Sequence, residues 1–305
     1  MGLFGIFFGI FRGKRTVTLN SPLPEHLAIV YNTDGRCYRA DVPYYLPQDA
    51  QENQRLDYQD YIFRKILGEL CFAPVEAVLK RGCNVLDVGS GSNHWAYDLA
   101  YKYKHTHVEG FDIEDRRTNA VPAPLNFTFS RGNLLHGLPF ASQQFMYVHQ
   151  RLLVLGISTE RWSAIVKELK RVTCPAGYIE LIEVGTTIHR AGPALQQMAT
   201  WWETISAAKG INMHAAASIE AFLQEAGCHH IQTKTEMVPV GAWGGRLGNL
   251  VAQDLLAVWT TIRPLIHTQL GVSRETFDLT LERIASEWSG SYRTEYEVYF
   301  ACGQV

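Results

Sequence analysis

The chain has 305 residues, of which 47% are hydrophobic and 19% charged, and its formal net charge is −2. These values suit a globular protein with a sizeable core, and the absence of a basic run argues against sequence-independent nucleic-acid binding. The six cysteines are scattered without a C-x-x-C pair, which argues against a zinc site or a disulfide framework and indicates a reducing compartment.

The N-terminal segment, residues 1–20, combines an apolar run with basic residues. Gly2 to Phe11 is almost wholly apolar and is followed by Arg12, Lys14 and Arg15. The run is too short to span a bilayer, and its charges follow it, unlike those of a signal peptide. Two interpretations stay open: peripheral membrane contact through residues 2–15, or packing on the body or on a partner protein. We expect a cytoplasmic protein, with membrane association under the first interpretation.

Residues 21–80 are predicted to form an N-terminal helical cap. The first half, 22–49, is rich in proline, tyrosine and polar residues and is predicted to be a loop. The second half, 51–70, has apolar residues at helical spacing, with Gly68 near its end. This helix precedes the first strand of the predicted sheet, and we expect it to lie across the mouth of the site.

The stretch from Asn84 to Asn93 predicts a buried strand, a glycine turn and then a helix over 95–103. A dinucleotide fingerprint fails, because its third glycine falls on His94. The pattern D-x-G-x-G fits instead, with Asp87, Gly89, Ser90 and Gly91. It resembles motif I of class I S-adenosylmethionine methyltransferases, in which the acid and the glycine turn hold the methionine portion of the cofactor. Asn93 replaces a third glycine, and asparagine tolerates positive φ. A purely structural turn is the alternative.

Two further turns are predicted to contact the same cofactor. Strand 107–112 ends at Asp112, 21 residues after Gly91, where a carboxylate can accept hydrogen bonds from both ribose hydroxyls. Ile113 follows it. After strand 127–131 come Asn133 and Leu134, and the resemblance implies that this position contacts the adenine amino group. An asparagine oxygen can still accept that hydrogen bond, although asparagine is also common in turns.

Three polar residues at the end of the predicted strand 145–149 are the catalytic candidates. His149, Gln150 and Arg151 lie where residues of an open α/β sheet face the ligand crevice. Alternation along a strand argues against both His149 and Gln150 facing the site. We favour His149 as a general base, and Arg151 could orient an anionic acceptor. A structural ion pair of Arg151 and a hydrogen-bonded histidine are the alternatives.

The second half of the chain continues the alternation of helices and strands. Helix 160–172 precedes strand 178–184, and a later helix carries Trp201 and Trp202, which we predict to contact the substrate together with Trp243. Packing in the core is the alternative for the aromatic stripe of this helix. The remaining predicted elements are a helix over 218–226, a strand over 231–238, a helical run to about 266, a helix around 277–288 and an antiparallel strand over 294–301. The predicted fold is a doubly wound, seven-stranded, mainly parallel α/β sheet of Rossmann-like class I methyltransferase type.

Three stretches resemble the LaeA-like branch of class I S-adenosylmethionine methyltransferases, known mostly from fungi. They are Tyr44-Tyr45-Leu46-Pro47 with the following Arg55-Leu56-Asp57, Val148-His149-Gln150-Arg151-Leu152, and Gly241-Ala242-Trp243-Gly244-Gly245-Arg246-Leu247-Gly248. The resemblance implies a methyltransferase domain over 81–305 with substrate-side insertions near 185–215 and 241–290.

That resemblance implies S-adenosylmethionine as the cofactor, and the expected methyl acceptor is a small, natural-product-like molecule. No metal-binding residues are predicted. Two alternatives remain at this point. One is a cofactor-binding regulatory subunit of secondary metabolism, acting through a protein partner and placed in the nucleus. The other is a protein methyltransferase.

Overall fold

A computed structural model describes residues 29–31, 35–39, 44–117, 121–290 and 292–305. The predicted membrane-contacting segment 2–15, and the whole of residues 1–20, lie outside the described residues. Among the described residues, no helix has both the length and the apolar composition to cross a membrane.

A short antiparallel pair of strands precedes the main body of the protein. It joins β1 (Ile29–Tyr31) to β2 (Cys37–Arg39), within a segment that the sequence predicted to be loop. Strands of three residues are too short to show the alternation that identifies a strand in a sequence.

A seven-stranded sheet forms the centre of the protein. Its strands are β3 (Asn84–Val88), β4 (His107–Asp112), β5 (Phe127–Arg131), β6 (Phe145–Arg151), β7 (Thr173–His189), β8 (His229–Pro239) and β9 (Glu295–Gln304). They lie in the order β5-β4-β3-β6-β7-β9-β8. Neighbouring strands are parallel except for β9, which is antiparallel to both β7 and β8. The predicted doubly wound sheet with its antiparallel last strand is confirmed.

Eight helices join or cover these strands within the described residues. They are α1 (Ala50–Leu67), α2 (Glu76–Arg81), α3 (His94–Lys102), α4 (Trp162–Val172), α5 (Pro193–Ala207), α6 (Ile219–Glu225), α7 (Gly245–Leu270) and α8 (Arg274–Ser289). The sequence predicted each of the longer ones to within a few residues. Gly68 ends α1 in the left-handed conformation, as its position near the end of the apolar pattern suggested.

The strand order reverses between β3 and β6, and this reversal positions the site. β3 pairs with β4 on one side and with β6 on the other, so the loops that follow β3 and β6 leave the sheet side by side. In open α/β sheets a crevice opens at such a point, beyond the carboxyl ends of the strands. Helices α1, α5, α7 and α8 contribute to one apolar cluster that covers this edge of the sheet.

Glu183 fixes the loop that follows β6. Its carboxylate is wholly buried and accepts hydrogen bonds from the backbone N–H groups of Leu153, at 2.9 Å, and Val154, at 3.1 Å. Burial raises the pKa of this carboxyl to about 8, although the two backbone donors lower it. The loop is therefore anchored by a group that is held in the low-dielectric interior.

This raised pKa predicts a specific dependence of stability on pH. An unfolded glutamate titrates near pH 4.3, so between about pH 4.3 and pH 8 the folded state binds the proton more tightly than the unfolded state. The contribution of Glu183 to stability should therefore fall as pH rises through this window, by up to about 1.4 kcal/mol per pH unit. Glu183→Gln should remove this slope, as measured by urea unfolding at several pH values. The surface variant Glu160→Gln should follow the wild-type profile, and parallel profiles for all three proteins would contradict the assignment.

Candidate functional site

A cavity of about 310 Å³ lies beyond the carboxyl ends of β3, β4, β6 and β7. Its wall includes the turns after β3, β4 and β5 and residues of α1, which contacts these turns through Leu56 and Asp57. Residues of α5, α7, α8 and β9 also line it. The volume falls at the lower limit of the range typical of small-molecule sites. Residues predicted to bind the cofactor and apolar residues far away in the chain therefore share one cavity.

The glycine turn has the backbone that its sequence requires. Gly89 and Gly91 have φ values of 71° and 52°, and Asn93 has a φ of 65°. Asn93 therefore adopts the positive φ expected of a residue that replaces a third glycine, and its Oδ1 accepts a hydrogen bond from Ser90 Oγ at 2.9 Å. A Cβ at Gly89 would lie 2.6 Å from Cδ2 of Leu153, so the chain approaches its neighbour too closely for a side chain.

Asp112 lies on the cavity wall beside this turn. Its Oδ2 accepts a hydrogen bond from the N–H of Gly91 at 2.9 Å, and its Oδ1 accepts one from the N–H of Glu114 at 3.0 Å. Burial raises its pKa, against the opposing effect of these two donors. The carboxylate thus fixes the turn as well as facing the cavity, where its remaining lone pairs could accept from a ribose.

The predicted adenine-side residues also reach the cavity. Ile113, Asn133 and Leu134 line it, next to Asp112. Asn133 caps a short 3₁₀ helix, and its Oδ1 accepts a hydrogen bond from the N–H of Leu135 at 2.9 Å. An amide oxygen has a second lone pair, so the turn-forming role and a contact to an adenine amino group are compatible.

Asp87 and His149 form a buried pair below the glycine turn. They lie opposite each other on β3 and β6, and His149 Nδ1 donates to Asp87 Oδ1 at 2.8 Å. The two residues are 3% and 1% exposed. The imidazole stacks on the indole of Trp95, with ring centroids 3.7 Å apart and planes 10° apart. Both residues contribute to the cavity wall, but this geometry argues against the predicted role of His149 as a general base.

Arg151 and Gln150 point in different directions, as strand alternation predicts. Arg151 lines the cavity and donates from Nη2 to Asp60 of α1 at 2.7 Å. Gln150 is wholly buried and is not among the residues of the cavity wall. The structure therefore does not bring Gln150 to the site. Arg151 forms an ion pair with Asp60, which is the structural role that the sequence left open as the alternative to orienting an acceptor.

Of the three tryptophans predicted to contact the substrate, one reaches the cavity. Trp202 lines it, whereas the neighbouring Trp201 packs on Phe277 with ring centroids 6.1 Å apart. Trp243 is 38% exposed, and its Nε1 donates to the carbonyl of Thr294 at 3.0 Å. Trp201 and Trp243 therefore do not line this cavity, and their contact with a substrate stays a prediction. Successive residues of a helix point about 100° apart, so an apolar stripe cannot tell which of two adjacent tryptophans meets a ligand.

Sequence reasoning missed most of the wall opposite the cofactor turns. Tyr44, Phe63, Trp259, Trp288 and Tyr296 line the cavity from widely separated parts of the chain. Their helical or alternating spacing signals burial in general, not which buried side chains surround a cavity.

Two charged residues on this wall were missed as well. Arg55 donates to Asp254 Oδ1 at 2.8 Å and to Glu52, and Asp254 shares the cavity wall with it. Burial lowers the pKa of Arg55, but Asp254 and Glu52 outweigh it and the net shift is upward. Only the fold brings Arg55 and Asp254 together, since 199 residues separate them. Across the described part of the chain, no group of three or more His, Cys, Asp or Glu side chains could hold a metal ion.

The fold and the glycine turn define an α/β protein of the nucleotide-binding, class I methyltransferase type. Its crevice carries an acidic residue near the end of each of two neighbouring strands, Asp87 on β3 and Asp112 on β4. Residues 85–177 match a sequence family described as a methyltransferase domain. The chain is also similar to the N-methyltransferase sirN of Leptosphaeria maculans, with 27% identity over 71% of this chain and 78% of sirN. It is 25% identical to the secondary metabolism regulator laeA of Aspergillus niger, over 72% of this chain and 60% of laeA.

A solved structure of phosphoethanolamine N-methyltransferase 2 from Haemonchus contortus, bound to S-adenosylmethionine, aligns with 80% of this chain and 56% of that one. The TM-score is 0.46 and the identity 16%. The chain thus spans about 60% of the length of several of its relatives. This chain thus carries a match to a methyltransferase domain over residues 85–177, and it is similar to fungal methyltransferases and to regulators of secondary metabolism of the laeA type.

The tight packing at Gly89 predicts that alanine at this position weakens cofactor binding. Alanine at Gly271, a glycine with similar φ but no close neighbour, should not do so. Gly271, at the end of α7, has a φ of 69° and no heavy atom within 4 Å of the place that a Cβ would occupy, whereas Gly89 meets Leu153. Gly271→Ala should cost about 1–2 kcal/mol of stability, because alanine disfavours positive φ. Gly89→Ala should cost more, because its methyl group also meets Leu153. Only Gly89→Ala should also weaken S-adenosylhomocysteine binding, by about tenfold or more, as measured by titration calorimetry. Equal affinity in both variants would contradict this account of the turn.

Proposed function

We propose that this protein transfers the methyl group of S-adenosylmethionine to a small, neutral, largely aromatic acceptor. The observation that carries the proposal is that two chemically different sets of residues line one cavity. The turns with Asp87, Gly91 and Asp112 supply carboxylates and backbone, and Trp202, Trp259, Trp288 and Tyr296 are among the other side chains of the wall.

The burial of this wall supports a small acceptor instead of a protein. Trp288 is 2% exposed, and Trp259 and Tyr296 are each 6% exposed. Side chains that line an open surface groove would keep much of their area in water. A wall that is this deeply buried fits a molecule that is itself enclosed, as small-molecule sites usually are.

The pairing of charges supports a neutral acceptor. Arg55 and Arg151 both reach the cavity, but Arg55 is paired with Glu52 and Asp254, and Arg151 is paired with Asp60. Arg116, the third arginine of the cavity wall, donates to Asn53 Oδ1 and lies near Asp112, among the residues assigned to the cofactor. An anionic acceptor would have to compete with these buried carboxylates for the guanidinium groups, and breaking a buried pair is costly. We therefore favour a neutral acceptor over the anionic one that Arg151 suggested from the sequence.

The chemistry asks little of the protein beyond alignment. S-adenosylmethionine, when bound, supplies a methyl group that its sulfonium already activates. Asp87, Gly91, Asp112 and Asn133 are the residues that we propose to hold it, since their carboxylates, backbone and amide face the same part of the cavity. The apolar wall would then orient the acceptor and exclude water.

The names of the relatives guide which acceptors to test first. The relative sirN is named an N-methyltransferase, so aromatic amines and indoles come before phenols. Other relatives are named regulators of secondary metabolism. A deep aromatic cavity next to the cofactor turns supports the enzyme over a subunit that acts only through protein contacts.

The acceptor proposal predicts that neutral aromatic compounds are methylated and that Trp202 matters for it. The assay uses S-adenosylmethionine with a deuterated methyl group, a panel of neutral aromatic amines, indoles and phenols, and matched carboxylates, with products detected by mass spectrometry. Trp202→Ala should lower kcat/KM for the acceptor by about tenfold or more, a loss of about 1.4 kcal/mol, since a buried aromatic contact is removed.

Trp243→Ala is the matched control, because Trp243 lies outside the cavity wall. It should leave kcat/KM close to the wild-type value, and both variants should still bind S-adenosylhomocysteine. Methylation confined to carboxylates, or equal effects of the two tryptophan substitutions, would count against the proposed acceptor.

A further inference from the structure

Buried neighbours restrict the position of the His149 side chain. On one side its Nδ1 lies 2.8 Å from Asp87 Oδ1. An ionised carboxylate can only accept, so Nδ1 must carry the proton of this hydrogen bond. One face of the ring lies flat against Trp95, whose own Nε1 donates to the carbonyl of Leu70 at 2.7 Å.

The remaining ring nitrogen of His149, Nε2, is buried and makes no hydrogen bond within the described residues, although His149 is among the residues of the cavity wall. On the strand beyond, Glu180 lies directly opposite His149 and is wholly buried. Glu180 Oε2 accepts hydrogen bonds from the backbone N–H groups of Phe72, at 2.8 Å, and Ala73, at 2.5 Å. Asp87, His149 and Glu180 thus form a row across three neighbouring strands.

A general base must meet the proton that it removes, either directly or through one water molecule. His149 has one nitrogen committed to Asp87, the other is buried, and the ring is held against Trp95, so it meets this requirement poorly. What the geometry does provide is a donor for Asp87. Without it, a carboxylate that is 3% exposed, immediately before the glycine turn, would lose a charge-assisted hydrogen bond.

We propose that His149 is a positioning residue, which acts on the cofactor by holding the carboxylate of Asp87 in place and does not remove a proton from the acceptor. This inference rests on the proposed function, because it assigns Asp87 to the cofactor. The hydrogen bond from Nδ1 fixes the direction of the Asp87 side chain, and the stack on Trp95 fixes the imidazole. Glu180 in turn anchors Phe72 and Ala73, in the segment between α1 and α2.

A pair of variants separates the two roles without knowledge of the acceptor. Asparagine places an N–H close to the position of Nδ1 but cannot act as a base, whereas leucine can do neither. His149→Leu should weaken S-adenosylhomocysteine binding by about tenfold to a hundredfold, because the hydrogen bond to a charged group is lost. His149→Asn should restore most of the affinity, to within about threefold of wild type, by titration calorimetry.

Tyr147→Phe is the matched control. Tyr147 lies two residues earlier on β6 and is wholly buried, and its hydroxyl interacts with Glu180 and Cys71. This variant should bind S-adenosylhomocysteine as the wild type does. If His149→Asn and His149→Leu both bind like wild type, or both lose affinity equally, the positioning role is wrong. Unchanged affinity in both, with turnover lost in both, would restore the general base.

A second measurement does not depend on whether the leucine variant folds. In wild-type protein labelled with ¹⁵N, the Nδ1 resonance of His149, assigned by its absence from His149→Asn, should be that of a protonated, hydrogen-bonded nitrogen. Addition of S-adenosylhomocysteine should shift it. An unprotonated Nδ1 would overturn the pairing. Failure of the wild type to bind S-adenosylhomocysteine would instead refute the proposed function and leave the resonance as an independent test of the pair.

Discussion

The packing of Leu153 into the space beside Gly89 is the contact on which the site depends. The missing Cβ of Gly89 lets the loop after β6 approach the turn after β3, and a methyl group there would lie 2.6 Å from Leu153. Glu183 holds Leu153 from behind by accepting a hydrogen bond from its N–H. A buried carboxylate of β7 therefore positions the loop of β6, and that loop confines the turn of β3 that carries the cofactor residues.

Buried ion pairs complete the enclosure by attaching α1 to the rest of the protein. Arg55 of α1 is paired with Asp254 of α7, and Asp60 of α1 is paired with Arg151 at the end of β6. Pairs of this kind add little net stability, but removing one partner leaves a buried charge uncompensated. Their geometry fixes the orientation of α1 over the cavity. They also pair Arg55 and Arg151 with carboxylates, which is the basis for the neutral acceptor that we propose.

The sequence predicted the sheet well because its signals are local. Strands such as Asn84–Val88 and His107–Asp112 are short runs ended by a turn or an acid, and they begin and end where the sequence indicated. Asn93 could be predicted to adopt positive φ because that preference belongs to the residue itself. The order of the strands followed from the resemblance to a known family.

The acceptor side could not be predicted in the same way, because it is assembled from distant parts of the chain. Trp288 and Tyr296 reach the cavity only after α8 and β9 have packed, and their spacing indicates burial alone. The hydrogen bond between Asp87 and His149 could be predicted from the sequence only in part. Strand alternation places both side chains on one face, but their pairing depends on the register of two strands 62 residues apart. Sequence reasoning identified the right residue and assigned it a role that its surroundings do not favour.

The central claim is that one end of the cavity binds S-adenosylmethionine, and titration calorimetry with its product tests it most directly. The account predicts that S-adenosylhomocysteine binds the wild-type protein with one site per chain, that NAD does not compete for it, and that Asp112→Ala lowers the affinity by about tenfold to a hundredfold, since hydrogen bonds to a charged group are lost. No binding of S-adenosylhomocysteine at millimolar concentration, or preferential binding of NAD, would contradict the account.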